Sequence, residues 1–235
     1  MFNLKVVILS VILVAHYTLA TPIPEEDTKQ VVYDEEMAER IAQLIKGDYN
    51  KEDLSVKDEY ILFVINESKK LYEYFHEEST KLSEDVLADK EVTENEDEDV
   101  KDFVKKLSTY LEMAKSADNV EEKLTSLVYF YKLMEKYETE DLKDPTKTDF
   151  LIEGYLKKHG MEKFDEEFEK RCNEFLKEFL ERAEEVKKTF NEQELEKYSI
   201  FIEILEELKK DLSIESRLDL LFAKIDAEKE KHEDD

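Results

Sequence analysis

Apolar side chains recur every three or four positions along most of this chain, and each run reads as one buried face of an amphipathic helix. A first helix is predicted over about 34–46, with Asp34 as N-cap, a stripe of Met37, Ile41, Leu44 and Ile45, and Gly47 just past its end. A second opens near Ser55, where Asp58 three residues on makes a near capping box. Its stripe is Ile61, Val64, Ser68, Leu71, Phe75, Ser79, Leu82 and Val86, in one long helix or in two that break around His76–Thr80. Residues 89–99 then read as an acidic interhelix loop. Asp99 caps a third helix over about 100–116, and Asn119 with Glu122 opens a fourth. Asp144 followed by Pro145 is an N-cap and N1 pair for a short helix that stops at Gly160. A sixth runs over about 162–190. Asn191 with Glu194 opens a seventh, through Leu195, Tyr198, Ile202, Leu205 and Leu208. Ser213 opens an eighth, with Ile214, Leu218, Leu221, Phe222 and Ile225, and the acidic tail 226–235 follows.

The sixth helix discriminates between a rod and a globule. Its stripe of Phe164, Phe168, Cys172, Phe175, Phe179, Ala183, Val186 and Phe190 takes seven steps over 26 residues. That is about 3.7 residues per turn, whereas a left-handed coiled coil needs a repeat of about 3.5. The pattern predicts an all-α, single-domain globular bundle of seven or eight amphipathic helices over 34–225, packed by ridges into grooves. Only three glycines and three prolines occur in 235 residues, and each is read as punctuation between helices.

Charge adds exclusions. The formal net charge is −27, from 35 basic and 62 acidic residues. Such a surface repels phosphate, so nucleic acid and anionic membrane are not expected partners, and a basic protein is. The N-terminus adds a compartment. Lys5 precedes the apolar run Val6–Ala15, and Thr18 and Ala20 stand at −3 and −1 of a cut before Thr21. Residues 1–20 therefore read as a cleaved secretory signal peptide, 21–33 as an extended N-terminal segment, and the mature chain as secreted without a membrane anchor. With Cys172 alone, no intramolecular disulfide is available, and packing must supply the stability of what is expected to be a monomer.

Catalytic and metal patterns are absent. His76-Glu-Glu-Ser-Thr80 lacks the second imidazole of a zinc helix, and three glycines cannot build a phosphate loop. No enzyme activity, cofactor or metal is expected. The acidic segment begins like a calcium loop at Asn95, but Val100 stands where the turn needs glycine and Lys106 where the bidentate glutamate belongs. Glu94, Glu96, Asp97 and Glu98 are the candidate partner-binding residues. Asn66, in Asn66-Glu67-Ser68, is a candidate glycosylation site, and Tyr33, in an acidic setting, a candidate sulfation site, with Tyr137 behind it. Cys172, on the phenylalanine stripe, is expected as a buried small hydrophobe. The many tyrosines and phenylalanines leave open an apolar pocket for a small ligand.

The leader, the Thr21-Pro-Ile-Pro-Glu-Glu26 start and the acidic, glycine-poor helical body together resemble secreted salivary proteins of blood-feeding flies, of the mosquito thirty-four-kilodalton type. The resemblance lies in layout along the whole chain, which is shorter than the family name suggests, and no motif transfers residue roles. It implies an insect saliva protein that binds host molecules and modulates haemostasis or immunity. The expected function is thus a secreted, non-enzymatic protein that binds a basic host or extracellular protein, the alternative being a carrier or scavenger of a small apolar ligand.

Overall fold

A computed structural model describes residues 23–25, 28–32, 35–140 and 142–210. The fold class is the expected one, all-α. A short antiparallel ribbon, β1 (Ile23–Glu25) and β2 (Thr28–Val32), pairs Ile23 with Val32 and Glu25 with Thr28. Nine helices follow among the described residues. They are α1 (Glu35–Lys46), α2 (Val56–Ala88), α3 (Lys90–Thr93), α4 (Glu98–Ser116), α5 (Val120–Glu135), α6 (Lys147–Lys158), α7 (Met161–Lys187), α8 (Glu192–Lys197) and α9 (Ser199–Leu208). None is long and apolar enough to cross a membrane. The leader, Asp34, Tyr33, the eighth predicted helix and the tail lie outside the described residues.

Contacts divide the described residues into two compact units, one spanning Leu71–Arg171, the other holding those up to Lys70 and those from Cys172 to 210. The divisions fall inside α2 and α7, so no linker separates the units and the single-domain expectation holds.

In the unit spanning 71–171, α4 packs against α3, α5 and α6. Phe75 from α2 meets Phe130 edge-on at 5.7 Å between ring centroids, Phe168 at 5.3 Å and Phe164 at 5.5 Å. Tyr110 lies 4.7 Å from Phe130. Edge-to-face and tilted pairs of this kind add about 0.5–1.5 kcal/mol each beyond the area they bury. The serines that made a break in α2 plausible are absorbed by the helix instead. Ser79 Oγ donates to the Phe75 carbonyl at 2.6 Å and Ser83 Oγ to the Ser79 carbonyl at 2.7 Å. The Tyr110 hydroxyl, left to donate, completes the network on Ser79 Oγ at 2.6 Å. Burial pushes the Tyr110 phenol above its ordinary range.

In the other unit, Tyr60 and Phe63 of α2 face α7, with Phe63 stacked on Phe175 at 5.9 Å and Tyr60 at 5.6 Å from Phe179. The expected box at Ser55 forms: the Asp58 amide donates to Ser55 Oγ and the Ser55 amide to Asp58 Oδ2. It extends further than expected, because Arg40 of α1 donates from Nε and Nη2 to both oxygens of Asp58, at 2.9 and 3.0 Å. The Arg40 hydrogen bonds, aided by those from Ser55, hold the Asp58 carboxyl below the usual carboxylate range.

Several predicted boundaries are corrected. Gly47 and Gly160, at φ 78° and 100°, do end helices. At Gly47 the Asp48 amide reaches the Gln43 carbonyl and the Gly47 amide the Leu44 carbonyl, the paired bonds of a Schellman motif. Gly154, by contrast, lies inside α6. Ile45, assigned to the α1 stripe, is 63% exposed. Thr146, not Asp144, caps α6, in a reciprocal box with Asp149 that leaves Pro145 outside the helix. The predicted sixth helix ends at Lys187, and Phe190 turns back to stack on Tyr198 at 5.0 Å, with Lys57 over both rings. The Asn191–Glu194 box forms as expected, with Lys57 also paired to Glu194, but its helix breaks at Tyr198 into α8 and α9.

Two outcomes follow. Tyr110→Phe removes one buried hydrogen bond while Ser79 keeps its bond to Phe75, and is expected to cost about 1 kcal/mol in denaturant unfolding. Asp58→Asn is expected to cost about 1–2 kcal/mol at neutral pH. Because the folded Asp58 pKa is depressed, its contribution is complete above about pH 4 and fades as pH falls through the folded value. Unfolding curves at pH 7 and at pH 2–3 should therefore show the gap between wild type and Asp58→Asn closing in acid.

Candidate functional site

The acidic segment is not a loop from end to end. Asp89 caps the single turn α3, accepting from the Glu91 amide at 2.9 Å, and Val92 inserts into the core. Only residues 94–97 lie between α3 and α4. Asp97, not Asp99, caps α4, accepting from the Asp99 amide at 2.9 Å, while Glu98 and Asp99 lie in the first turn beside the positive end of the helix. Since residues 98–106 are helical, their carboxylates fan outward around α4. Lys106 is paired with Asp102 at 2.6 Å, in the position where a calcium loop needs glutamate. Among the described residues no group of three or more metal-ligating side chains converges.

The segment is fastened along α6. Thr148 Oγ1 donates to Asp97 Oδ2 at 3.0 Å, Asn95 Nδ2 to the Tyr155 hydroxyl at 3.2 Å, and that hydroxyl to the Glu91 carbonyl at 3.2 Å. Lys158 Nζ reaches Asp89 at 2.8 Å and Glu91 at 2.6 Å. His159 Nε2 lies 2.9 Å from Asp89 Oδ2. With the carboxylate ionised it can only accept, so the imidazole proton is on Nε2. At about 100° per residue, Thr148, Tyr155 and His159 fall within about 40° of one another around α6. One helix flank thus holds a strap of acidic chain at four points along its length.

These contacts set the charge states. Lys158, then His159 and the Glu91 amide, pull the Asp89 carboxyl down to about 2. The Asp99 amide and Thr148 lower Asp97. Glu98 and Glu96, 3.0 and 3.1 Å from Lys101 Nζ, raise that lysine.

The four candidate residues Glu94, Glu96, Asp97 and Glu98 are all exposed and adjoin one another on this strap. Their situations differ. Asp97 is spent on the helix cap and Thr148, Glu96 and Glu98 share Lys101, and Glu94 makes no ion pair among the described residues. Asn66 is exposed on α2, with Ser68 of the same sequon buried. Tyr137 is buried at 1% exposure against Phe103, out of reach of a sulfating enzyme in the folded chain. Cys172 is fully buried.

Sequence reasoning missed Thr148, Tyr155, Lys158 and His159. The signal of Thr148, Tyr155 and His159 was present as helical spacing of seven and four on α6, directly beside its buried residues Ile152 and Leu156. A groove of about 690 Å³ opens beside His159 in the same unit, over Tyr74, Leu82 and Phe164. Its walls carry Glu78, Lys81, Asp85, Lys163 and Glu167, and Arg171 lies over the Tyr74 ring at 4.1 Å. Charged walls give an apolar ligand little to bind.

No protein-family model, curated protein or solved structure matches the chain.

The Asp89 anchor predicts a local effect. Asp89→Asn should speed amide exchange at Glu91, Val92 and Thr93 while leaving the middle of α4 protected, as hydrogen-exchange mass spectrometry would show. In the wild type the anchor should persist in acid until pH approaches 2, since a depressed carboxyl loses its contribution only as pH falls through its folded pKa.

Proposed function

We propose that this chain is a secreted, non-enzymatic interaction protein that uses the acidic strap to bind a basic protein of a host or of the extracellular space, as a salivary effector acting on haemostasis or immunity would. One observation carries the reading. The strap is held by α6 and its cap through Asp89, Asn95 and Asp97 and by the α4 N-terminus through Asp97, so Glu94, Glu96 and Glu98 project from a segment that is already ordered. Pre-ordering lowers the entropic cost of association, and a concentrated negative surface steers a cationic partner and raises the association rate. The leader read from residues 1–20 and the resemblance in layout to fly salivary proteins support the extracellular and host-directed parts of the proposal.

The test spares Asp97, whose loss would uncap α4. Full-length protein and a Glu94→Gln, Glu96→Gln, Glu98→Gln variant are immobilised and exposed to plasma or skin extract, then washed with graded salt. Wild type should retain basic proteins that elute as salt rises, and the variant should retain several-fold less at low salt. Equal retention at every salt concentration would overturn the proposal.

A further inference from the structure

Two residues of α2, two positions apart, sit where the fold gives them no task. Ser68 lies on the buried stripe at 7% exposure, and its hydroxyl makes no hydrogen bond. The other buried serines among the described residues are all partnered: Ser79 donates to the Phe75 carbonyl, Ser83 to the Ser79 carbonyl and Ser126 to the Lys123 carbonyl. A buried hydroxyl without a partner carries a desolvation cost that nothing offsets, so alanine would suit the packing better. Asn66 lies about 200° around the helix from Ser68, exposed, and its amide group makes no hydrogen bond among the described residues. Asn50, Asn119 and Asn191 cap helices, a role that suits asparagine; the interior of a helix does not.

One chemistry accounts for both residues. Asn66-Glu67-Ser68 is an asparagine with a serine two residues on and no proline between, the acceptor pattern for an N-linked glycan and the only such triplet in the sequence. In extended chain, residues i and i+2 project to the same side, so one enzyme site can hold both the amide and the hydroxyl. In α2 that arrangement is lost, because Ser68 has turned into the core. We infer that Asn66 receives an oligosaccharide before α2 packs, and that the Ser68 hydroxyl serves this acceptor step and not the fold. In the transfer, Asn66 Nδ2 forms a bond to the anomeric carbon of the sugar. The bond from that carbon to the diphosphate of a lipid-linked donor breaks, the lipid diphosphate leaves with the electron pair, and Nδ2 loses one proton.

The finished helix has room for the product. Lys69, Lys70 and Glu73 stand three, four and seven residues on from Asn66, along the same flank, and all are exposed. Lys70 turns aside to pair with Glu67 at 2.6 Å. A glycan on Asn66 lies over this strip of solvated charge, covers no buried side chain, and closes that flank of α2 to protein partners. The inference rests on the secretory reading of residues 1–20, because the lipid-linked donor and its transferase belong to the secretory pathway. It adds a covalent modification on which the acidic strap does not depend.

The full chain with its own leader is expressed in cultured insect cells as wild type, Asn66→Gln, Ser68→Ala and Ser68→Thr. Intact masses of the secreted proteins are read before and after treatment with a peptide N-glycosidase. Wild type and Ser68→Thr should each lose one oligosaccharide, while Asn66→Gln and Ser68→Ala should be secreted at the bare polypeptide mass. A secreted wild type whose mass the enzyme leaves unchanged overturns the inference while the secretory reading stands; a chain kept inside the cell with residues 1–20 attached overturns both. Unglycosylated protein made in the bacterial cytoplasm separates the two roles of Ser68. There Ser68→Ala should raise the melting temperature by about 2 °C, and a lower one would show that the fold uses the hydroxyl and overturn its assignment to the acceptor step. The same folded wild-type protein, offered purified transferase and lipid-linked donor, should stay unmodified at Asn66; modification there overturns the requirement that addition precede packing.

Discussion

The ring cluster of Phe75, Phe130, Phe164 and Phe168 is what the unit around the strap depends on. A chain with one cysteine and no disulfide must hold its helices by packing, and these rings bring α2, α5 and α7 to one point. Tyr110 ties α4 to the same point through Phe130 and Ser79. With α4 fixed, its N-terminus is fixed, and so is the place where Asp97 must sit. The acidic surface is thus located by aromatic contacts on the far side of the helices that carry it.

Charge opposes this order without defeating it. Many of the acidic residues are matched along their own helices, as in Lys106 with Asp102, Lys157 with Glu153, Arg171 with Glu167 and Arg182 with Glu178. Each exposed pair contributes little, because water and salt screen it. Their value is in relieving repulsion locally, so that the excess of negative charge is carried by segments such as the strap.

What the sequence made legible was whatever repeats. The stripes of α2 and α7 appear in the structure almost residue for residue, because a buried face imposes its period on the chain. The Asn119 and Asn191 caps were legible because each asparagine has a glutamate three residues on, Glu122 and Glu194, the spacing of a capping box. The α4 and α6 caps were not, since Asp97 and Asp99 compete for one role and Asp144 and Thr146 for another, and only three-dimensional context decides: Thr148 bonds Asp97, and Asp149 reciprocates Thr146. The strap's fastening was hidden for a related reason. Bonds such as Asp97–Thr148 and Asp89–His159 join residues 51 and 70 positions apart and leave no periodic trace. Gly154 was misread because glycine's usual role as punctuation holds at Gly47 and Gly160 but not inside α6.

The double duty of Asp89 and Asp97 also bears on how such a chain can diverge. Each accepts from a backbone amide at the start of a helix, a task that calls for a short side chain, and each also receives a side chain of α6 or its cap. Glutamate at either position would place its carboxylate too far out to do both. Glu94, Glu96 and Glu98 carry no such geometric demand, so the fold tolerates their exchange or relocation as long as the local charge is kept. Descendants of this sequence can therefore scramble most of the acidic stretch beyond alignment while two aspartates eight residues apart stay where they are.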